Sequence, residues 1–244
     1  MEREIRRLVY LDGDLDTYQQ FTPQQPQEKL AEIKAYLSDS PSLDPVRASE
    51  LWHEKGLIHQ MGKEYEQAIA SFDRALEIKP DDHQAWYNRG VALGNLGRFE
   101  QAIASYDRAL EFKPDYPDAW NNRGIALGNL GRFEQAIASY DRALEFKPDY
   151  PDAWNNRGIA LHNLGRFEQA IASWDRAIKI NSNDANAYYN KACCYGLQNN
   201  VELAIENLQR AINLDVEYQD MAKTDKDFDQ IRGDERFQSF LNRV

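Results

Sequence analysis

The chain has 244 residues, of which 42% are hydrophobic and 28% are charged, and its formal net charge is −11 at pH 7. This apolar content excludes a chain that is disordered throughout and is enough for a sizeable core. Lys and Arg form no long block, so the charge pattern argues against a nucleic-acid or anionic-membrane partner. We expect a soluble, cytoplasmic protein.

The first 26 residues are predicted to form an arm that ends in a Gln- and Pro-rich linker. The apolar run of the arm, from Leu8 to Leu11, is too short for a signal peptide or a membrane span. Asp12, Asp14 and Asp16 alternate as in a calcium loop, but the glycine is misplaced and no Glu follows at the required distance. We therefore expect no calcium site in the arm.

Residues 27–48 are predicted to form an N-terminal capping helix, from about 28 to 38, followed by a loop. Leu30, Ile33, Tyr36 and Leu37 give this helix an apolar stripe that could cover the open side of the structure that follows. The stripe therefore predicts a packing role for this helix.

Residues 83–150 consist of one 34-residue sequence written twice, with roughly 30 positions identical in the two copies. Such a repeat has room for two short helices, cannot bury both apolar faces alone, and must stack on its neighbours. We therefore seek the function on a surface rather than in a cleft. Five repeats are predicted, at residues 49–82, 83–116, 117–150, 151–184 and 185–218.

Equivalent positions of the repeats carry equivalent residue types. An aromatic opens each first helix, at Trp52, Trp86, Trp120, Trp154 and Tyr188. Four residues later a small residue allows close helix packing, at Gly56, Gly90, Gly124, Gly158 and Ala192. The second helix carries a large apolar residue between alanines, at Phe72, Tyr106, Tyr140, Trp174 and Leu208. Turn glycines suited to a left-handed conformation follow each of the three central first helices, at Gly97, Gly131 and Gly165.

This pattern resembles the tetratricopeptide repeat (TPR) of bacterial proteins, over about 70% of the chain. The resemblance implies an all-α fold, a right-handed α-solenoid of helix-turn-helix repeats with N- and C-terminal capping helices. Residues 219–244 are the expected C-terminal cap. The resemblance also implies a concave groove, lined by the first helices, that holds a peptide or a partner helix.

An asparagine lies two residues after the aromatic in four successive repeats. Its amide can both donate to and accept from a peptide backbone, whatever the sequence of the peptide. The column resembles the asparagine ladder of the TPR superhelix in O-GlcNAc transferases. The predicted ladder consists of Asn88, Asn122, Asn156 and Asn190. An alternative is that these amides bond only to adjacent helices or to solvent.

Further predicted peptide-binding residues surround the ladder and make the groove polar and mildly acidic. They are Tyr87, Asn121, Asn155, Tyr189, Asp118 and Asp152. The Lys residues of a carboxylate clamp are missing from this face. Three residues after the aromatic lies a basic residue that we interpret as a structural ladder, with anion binding as the alternative: Lys55, Arg89, Arg123, Arg157 and Lys191.

Catalytic, metal and cofactor sites are not predicted. His53 and His59 are six residues apart, which turns their rings away from each other on a helix. Cys193 and Cys194 are adjacent and cannot easily form a disulfide, so we expect two buried free thiols in a reducing cytoplasm. The motifs of phosphate loops and nucleophile elbows are missing.

The sequence thus favours a non-catalytic scaffold that binds an extended peptide segment of a partner protein, neutral or basic in charge. One alternative is a homo-oligomeric assembly module that uses the apolar arm. Another is the TPR portion of a larger signalling protein or enzyme.

Overall fold

A computed structural model of the chain describes residues 25–39 and 44–243. The predictions for the arm, including its apolar run and its alternating acids, lie outside these residues. In the described ranges all regular structure is helical, and no helix there is long and apolar enough to cross a membrane. The expected all-α fold of consecutive helical hairpins is confirmed.

The helices fall into two compact units, which we call the N-terminal unit (up to residue 132) and the C-terminal unit (from residue 133). The N-terminal unit contains α1 (Gln25–Asp39), α2 (Pro45–Met61), α3 (Tyr65–Ile78), α4 (His83–Asn95), α5 (Phe99–Phe112) and α6 (Pro117–Asn129). The C-terminal unit contains α7 (Phe133–Phe146), α8 (Pro151–Asn163), α9 (Phe167–Ile180), α10 (Ala185–Leu197), α11 (Val201–Leu214), α12 (Glu217–Thr224), a 3-10 turn (Lys226–Phe228) and α13 (Glu235–Arg243). Within each unit, helices that follow one another in the repeats pack together.

The two helices of a repeat meet where the sequence pairs a glycine with a large apolar residue. A Cβ atom added at Gly90 would lie 2.6 Å from the ring of Tyr106, which is itself fully buried. Gly56 lies equally close to the ring of Phe72, and Gly158 to the ring of Trp174. In the fifth repeat Ala192 and the smaller Leu208 stand at these positions, both without exposed surface. The close packing expected of the small residue is confirmed.

The turn between the two helices of each repeat contains one residue in the left-handed region. Gly97, Gly131 and Gly165 have φ of 73°, 73° and 72°, as expected. The outer repeats keep this conformation without glycine, because Lys63 has φ 58° and Asn199 has φ 57°. The left-handed conformation is therefore present in every repeat, whichever residue stands at this position. At Lys63 it causes strain, because the Cβ atom of Lys63 crowds the backbone.

Replacing Lys63 with Gly is expected to stabilise the protein by about 0.5–1 kcal/mol, because glycine adopts positive φ without steric cost. Urea-induced unfolding of the two proteins measures the change. Lys79→Gly is a suitable control, because Lys79 has φ −127° and gains nothing from glycine. Equal effects of the two substitutions would contradict the interpretation.

Helix α1 covers the beginning of the repeats. Ile33 is 1% exposed and packs with Leu51 and Ile58 of α2, and Leu30 and Leu37 lie against this cluster. Tyr36 was predicted to join the stripe but is 53% exposed. It lies about 100° around the helix from Leu37, at the edge of the stripe rather than on it. The helix also begins at Gln25, inside the predicted linker.

The segment after the last repeat packs on α10 and α11. Phe228, Ile231 and Phe237 are at most 1% exposed and belong to the same core cluster as Tyr189 and Leu208. The segment therefore supplies the large apolar side chains that a next repeat would otherwise bring to this surface.

Candidate functional site

Helices α2, α4, α6, α8 and α10 are the first helices of the repeats and carry all the predicted binding residues. In three of these helices the aromatic side chain bonds to the turn that precedes the helix. Trp86 Nε1 donates to the carbonyl oxygen of Pro80 at 2.9 Å. The same bond joins Trp120 to Pro114 at 2.8 Å and Trp154 to Pro148 at 2.9 Å. This bond, not predicted from the sequence, fixes the register of the side chains that follow.

The four ladder asparagines are buried. The exposed fractions are 1% for Asn88, 0% for Asn122, 7% for Asn156 and 6% for Asn190. Their amides therefore lie in the layer where helices pack, below the surface that a ligand would meet first.

Two of these amides connect consecutive first helices of the N-terminal unit. Asn88 Nδ2 lies 3.0 Å from Nε2 of His53, and Asn122 Nδ2 donates to the hydroxyl oxygen of Tyr87 at 3.1 Å. The two bonded residues are 35 positions apart, one more than the repeat length. Each bond therefore joins the first helix of one repeat to the first helix of the following repeat. Asn88 and Asn122 therefore bond to adjacent helices, which is the alternative that the sequence left open.

Three buried amide oxygens make no hydrogen bond within the described part of the chain. One is Gln60 Oε1 on α2, and the other two belong to predicted binding residues: Asn88 Oδ1 in the N-terminal unit and Asn155 Oδ1 in the C-terminal unit. The Nδ2 atom of Asn155 donates to the carboxylate of Asp184. A buried acceptor without a partner costs about 1–3 kcal/mol, so the oxygens of Asn88 and Asn155 would gain from an N–H donor supplied by a ligand.

The remaining predicted residues divide by exposure. Tyr87, Asn121 and Tyr189 are buried, Asn155 and Asp118 are half-buried, and Asp152 is exposed. Tyr189 donates its hydroxyl to Asp225 Oδ2 at 2.9 Å, a contact with the segment after the repeats. Asp152 is thus the most accessible of these residues, Asp118 and Asn155 are partly accessible, and Tyr87, Asn121 and Tyr189 lie beneath.

The basic residues three positions after the aromatic form a structural ladder, as predicted. Arg157 Nε donates to Asp141 Oδ1 on α7 at 2.7 Å, and its Nη1 donates to Ser173 Oγ on α9 at 2.7 Å. Arg157 therefore connects the second helices of consecutive repeats. The corresponding bonds to the preceding carboxylate are Arg89 to Asp73, Arg123 to Asp107 and Lys191 to Asp175, each 2.6 Å long.

Replacing Arg157 with Met is expected to lower the free energy of unfolding by about 1–2 kcal/mol, because both charge-assisted bonds are lost while the aliphatic stem is kept. Urea unfolding in low salt measures the loss. Arg142→Met is the control, since Arg142 pairs with the exposed Glu145 on its own helix. A loss at Arg157 no larger than at Arg142 would refute the structural ladder.

Lys55 occupies this ladder position in the first repeat, where α1 rather than a second helix precedes it. Burial lowers the pKa of Lys55, and the nearby charge of Lys34 lowers it further. Its ammonium lies 4.4 Å from the centre of the Trp52 ring. The later repeats also have this cation–π contact, with Arg89, Arg123 and Arg157 each 5.8 Å from the centre of the Trp ring in the same helix, in addition to their bond to Asp.

A second polar cluster lies in the C-terminal unit and was not predicted from the sequence. It contains Cys193, Asp225 and Asp227, with His162 beside them. One sign in the sequence could have indicated it. His162 stands where three other repeats have glycine: Gly94, Gly128 and Gly196.

Family profiles match the repeats of the chain. A profile described as TPR repeat matches residues 58–97, 95–131 and 129–165, and two described as tetratricopeptide repeat match residues 151–184 and 173–206. The chain therefore belongs to the tetratricopeptide-repeat family.

Solved structures of TPR proteins share the fold. A crystal structure of MamA has a TM-score of 0.64 at 19% identity, over 66% of this chain and 95% of the other. MamA residues 41-end from Desulfovibrio magneticus RS-1 give 0.66 at 17% identity, over 69% and 96%. YrrB, described as a TPR protein with an unusual peptide-binding site, gives 0.60 at 22% identity, over 77% and 92%. The curated proteins include no significant sequence match.

Proposed function

We propose that the chain is a non-catalytic scaffold that binds an extended segment of a partner protein along its first helices. Membership of the TPR family supports a role in protein interaction, and the described peptide-binding site of YrrB gives a precedent on the same fold. Cys193 and Cys194 are buried thiols that form no disulfide among the described residues, which fits a reducing compartment such as the cytoplasm.

The observation that carries the proposal is that two buried amide oxygens at predicted binding positions, Asn88 Oδ1 and Asn155 Oδ1, have no partner within the described residues. They lie on first helices, one in each compact unit. An extended backbone presents N–H groups at regular spacing, so a segment bound along the first helices of either unit could donate to the oxygen of that unit. Each bond would replace an unsatisfied acceptor and would therefore favour the bound state.

The charge of this face selects the segment. Asp152 is exposed and Asp118 is half-buried on the first helices, and the whole chain carries a net charge of −11. A neutral or basic segment is attracted by this field, and an acidic one is repelled.

The test uses a peptide selected from a displayed random 12-residue library on the immobilised chain. Asn155→Ala is expected to weaken binding of that peptide about tenfold, because one buried amide bond to the ligand is lost. Isothermal titration calorimetry measures the dissociation constant. Thermal unfolding of each variant separates lost binding from lost stability.

Each binding substitution has a control on the same helix. Asn163 on α8 bonds to the carbonyl oxygen of Ile159, and Asn95 on α4 bonds to that of Val91. Asn163→Ala and Asn95→Ala should leave the dissociation constant within about twofold, whereas Asn155→Ala and Asn88→Ala should not. Unchanged affinity in both binding variants would refute the proposal. Replacing all four ladder asparagines together is a poorer test, because it also removes interhelical bonds.

A further inference from the structure

A cluster of metal-ligating side chains lies between α10 and the segment after the last repeat. Cys193, Asp225 and Asp227 each place one ligand atom within 4.8 Å of the ligand atoms of the other two. Cys193 has no exposed surface, and both carboxylates are half-buried. The Sγ atom of Cys193 is 3.7 Å from Asp225 Oδ2. The cluster brings a thiol and two carboxylates together below the surface.

A buried imidazole on α8 lies beside one carboxylate of this cluster. His162 is 5% exposed, and neither of its ring nitrogens makes a hydrogen bond within the described residues. Its Nε2 lies 3.4 Å from Asp227 Oδ2, within ion-pair range but without hydrogen-bond alignment, and its Nδ1 has no such neighbour among these residues. Two ring nitrogens this deeply buried without a hydrogen bond are a second, independent sign that the site is built for a ligand.

The carboxylates are held in place by other bonds. Asp225 Oδ1 accepts the backbone N–H of Asp227 at 3.0 Å, and Asp225 Oδ2 accepts the hydroxyl of Tyr189 at 2.9 Å. The guanidinium of Arg232 donates to the backbone carbonyl oxygen of Asp225 at 2.6 Å, which fixes the loop. Such outer partners orient the ligands of a metal site before the metal binds.

We propose that this cluster binds a divalent transition-metal cation of the zinc type. The ligands would be the Cys193 thiolate, one oxygen of Asp225 and one oxygen of Asp227, with solvent completing the tetrahedron. His162 would be an outer partner that lies against the carboxylate of Asp227. Binding releases the proton of the Cys193 thiol to solvent.

The ligand set also selects the class of cation. Thiolate favours zinc and cobalt, whereas calcium and magnesium prefer oxygen ligands alone. A metal here would connect α10 and the loop at Asp225–Asp227, so it would stabilise the end of the C-terminal unit. The site shares Tyr189 with the predicted peptide-binding residues, whereas Asn88 and Asn155 lie outside it.

Titration of the reduced, metal-free protein with Co²⁺ tests the proposal without any substitution. We expect one Co²⁺ per chain, a thiolate-to-cobalt band in the near ultraviolet, and the intense visible bands of tetrahedral cobalt. Zn²⁺ should displace the cobalt and abolish these bands. A chain that gives no thiolate band with Co²⁺ at millimolar concentration overturns the proposal.

The adjacent cysteine provides a matched control. Cys193→Ser should weaken Zn²⁺ binding more than about 100-fold, beyond the 10–100-fold that loss of an outer partner costs, whereas Cys194→Ser should change it less than twofold. His162→Gly, which restores the residue of the neighbouring repeats, should weaken binding more than tenfold. Zn²⁺ affinity that survives Cys193→Ser, with native circular dichroism in both variants, contradicts the assignment.

Discussion

Replacing Phe228 with Ala is expected to lower the free energy of unfolding by about 3–5 kcal/mol, because a fully buried aromatic side chain is lost and a cavity remains. The ring of Phe228 lies 5.3 Å from that of Phe237 and 6.0 Å from that of Tyr189, measured between centroids. The substitution therefore separates the C-terminal segment from the last repeat. Urea unfolding monitored by circular dichroism gives the change.

Phe146→Ala is the control within the same unit. Phe146 is 40% exposed at the end of α7, and the guanidinium carbon of Arg142 lies 5.0 Å from the centre of its ring. A loss of at most about 1 kcal/mol is expected there. If the two substitutions cost the same, the segment after the repeats does not contribute to the core in the way described.

Replacing Gly158 with Ala is expected to cost about 1–3 kcal/mol, because a Cβ atom there would lie 2.4 Å from Trp174 Nε1. The Trp174 side chain is fully buried and cannot move without disturbing α9. At a helix position exposed to water, a Gly→Ala change would instead stabilise the helix. The sign of the effect thus reports the close approach of α8 and α9, and thermal unfolding measures it.

Two comparisons make this result specific. Gly233→Ala should be nearly neutral, because no heavy atom lies within 4 Å of its added Cβ. Gly158→Ala should cost less in a Trp174→Leu background, which reproduces the pairing of Ala192 with Leu208 in the fifth repeat. Equal costs of Gly158→Ala in the two backgrounds would show that the clash is not the cause.

The sequence predicts the fold well because the residue pairs that pack within a repeat recur in several repeats. The pairing of Gly90 with Tyr106 recurs in neighbouring repeats, and each recurrence supports the same helix register. The turn at Lys63 is more difficult to predict, since the nearest glycine, Gly62, stands one residue before the position of the turn glycine in the central repeats. The structure keeps the left-handed residue at the repeat position regardless of which side chain stands there.

The candidate site is less predictable, because it depends on contacts between repeats. The sequence places Asn88 and Asn122 on one face of their helices, but only the distance to the preceding first helix decides how deeply they are buried. The cluster at Asp225 and Asp227 lies after the repeats, where no second copy of the sequence confirms a pattern. Its link to His162 follows from packing alone.

The most direct test of the proposed scaffold function is photo-crosslinking of a library-selected peptide that carries a benzoylphenylalanine at successive positions. Mass spectrometry identifies the chain residues that react. The account predicts crosslinks on first helices, near Asp118 in the N-terminal unit or near Asp152 and Asn155 in the C-terminal unit. Crosslinks confined to the second helices α3, α5, α7, α9 and α11, or to the segment after residue 218, would contradict it.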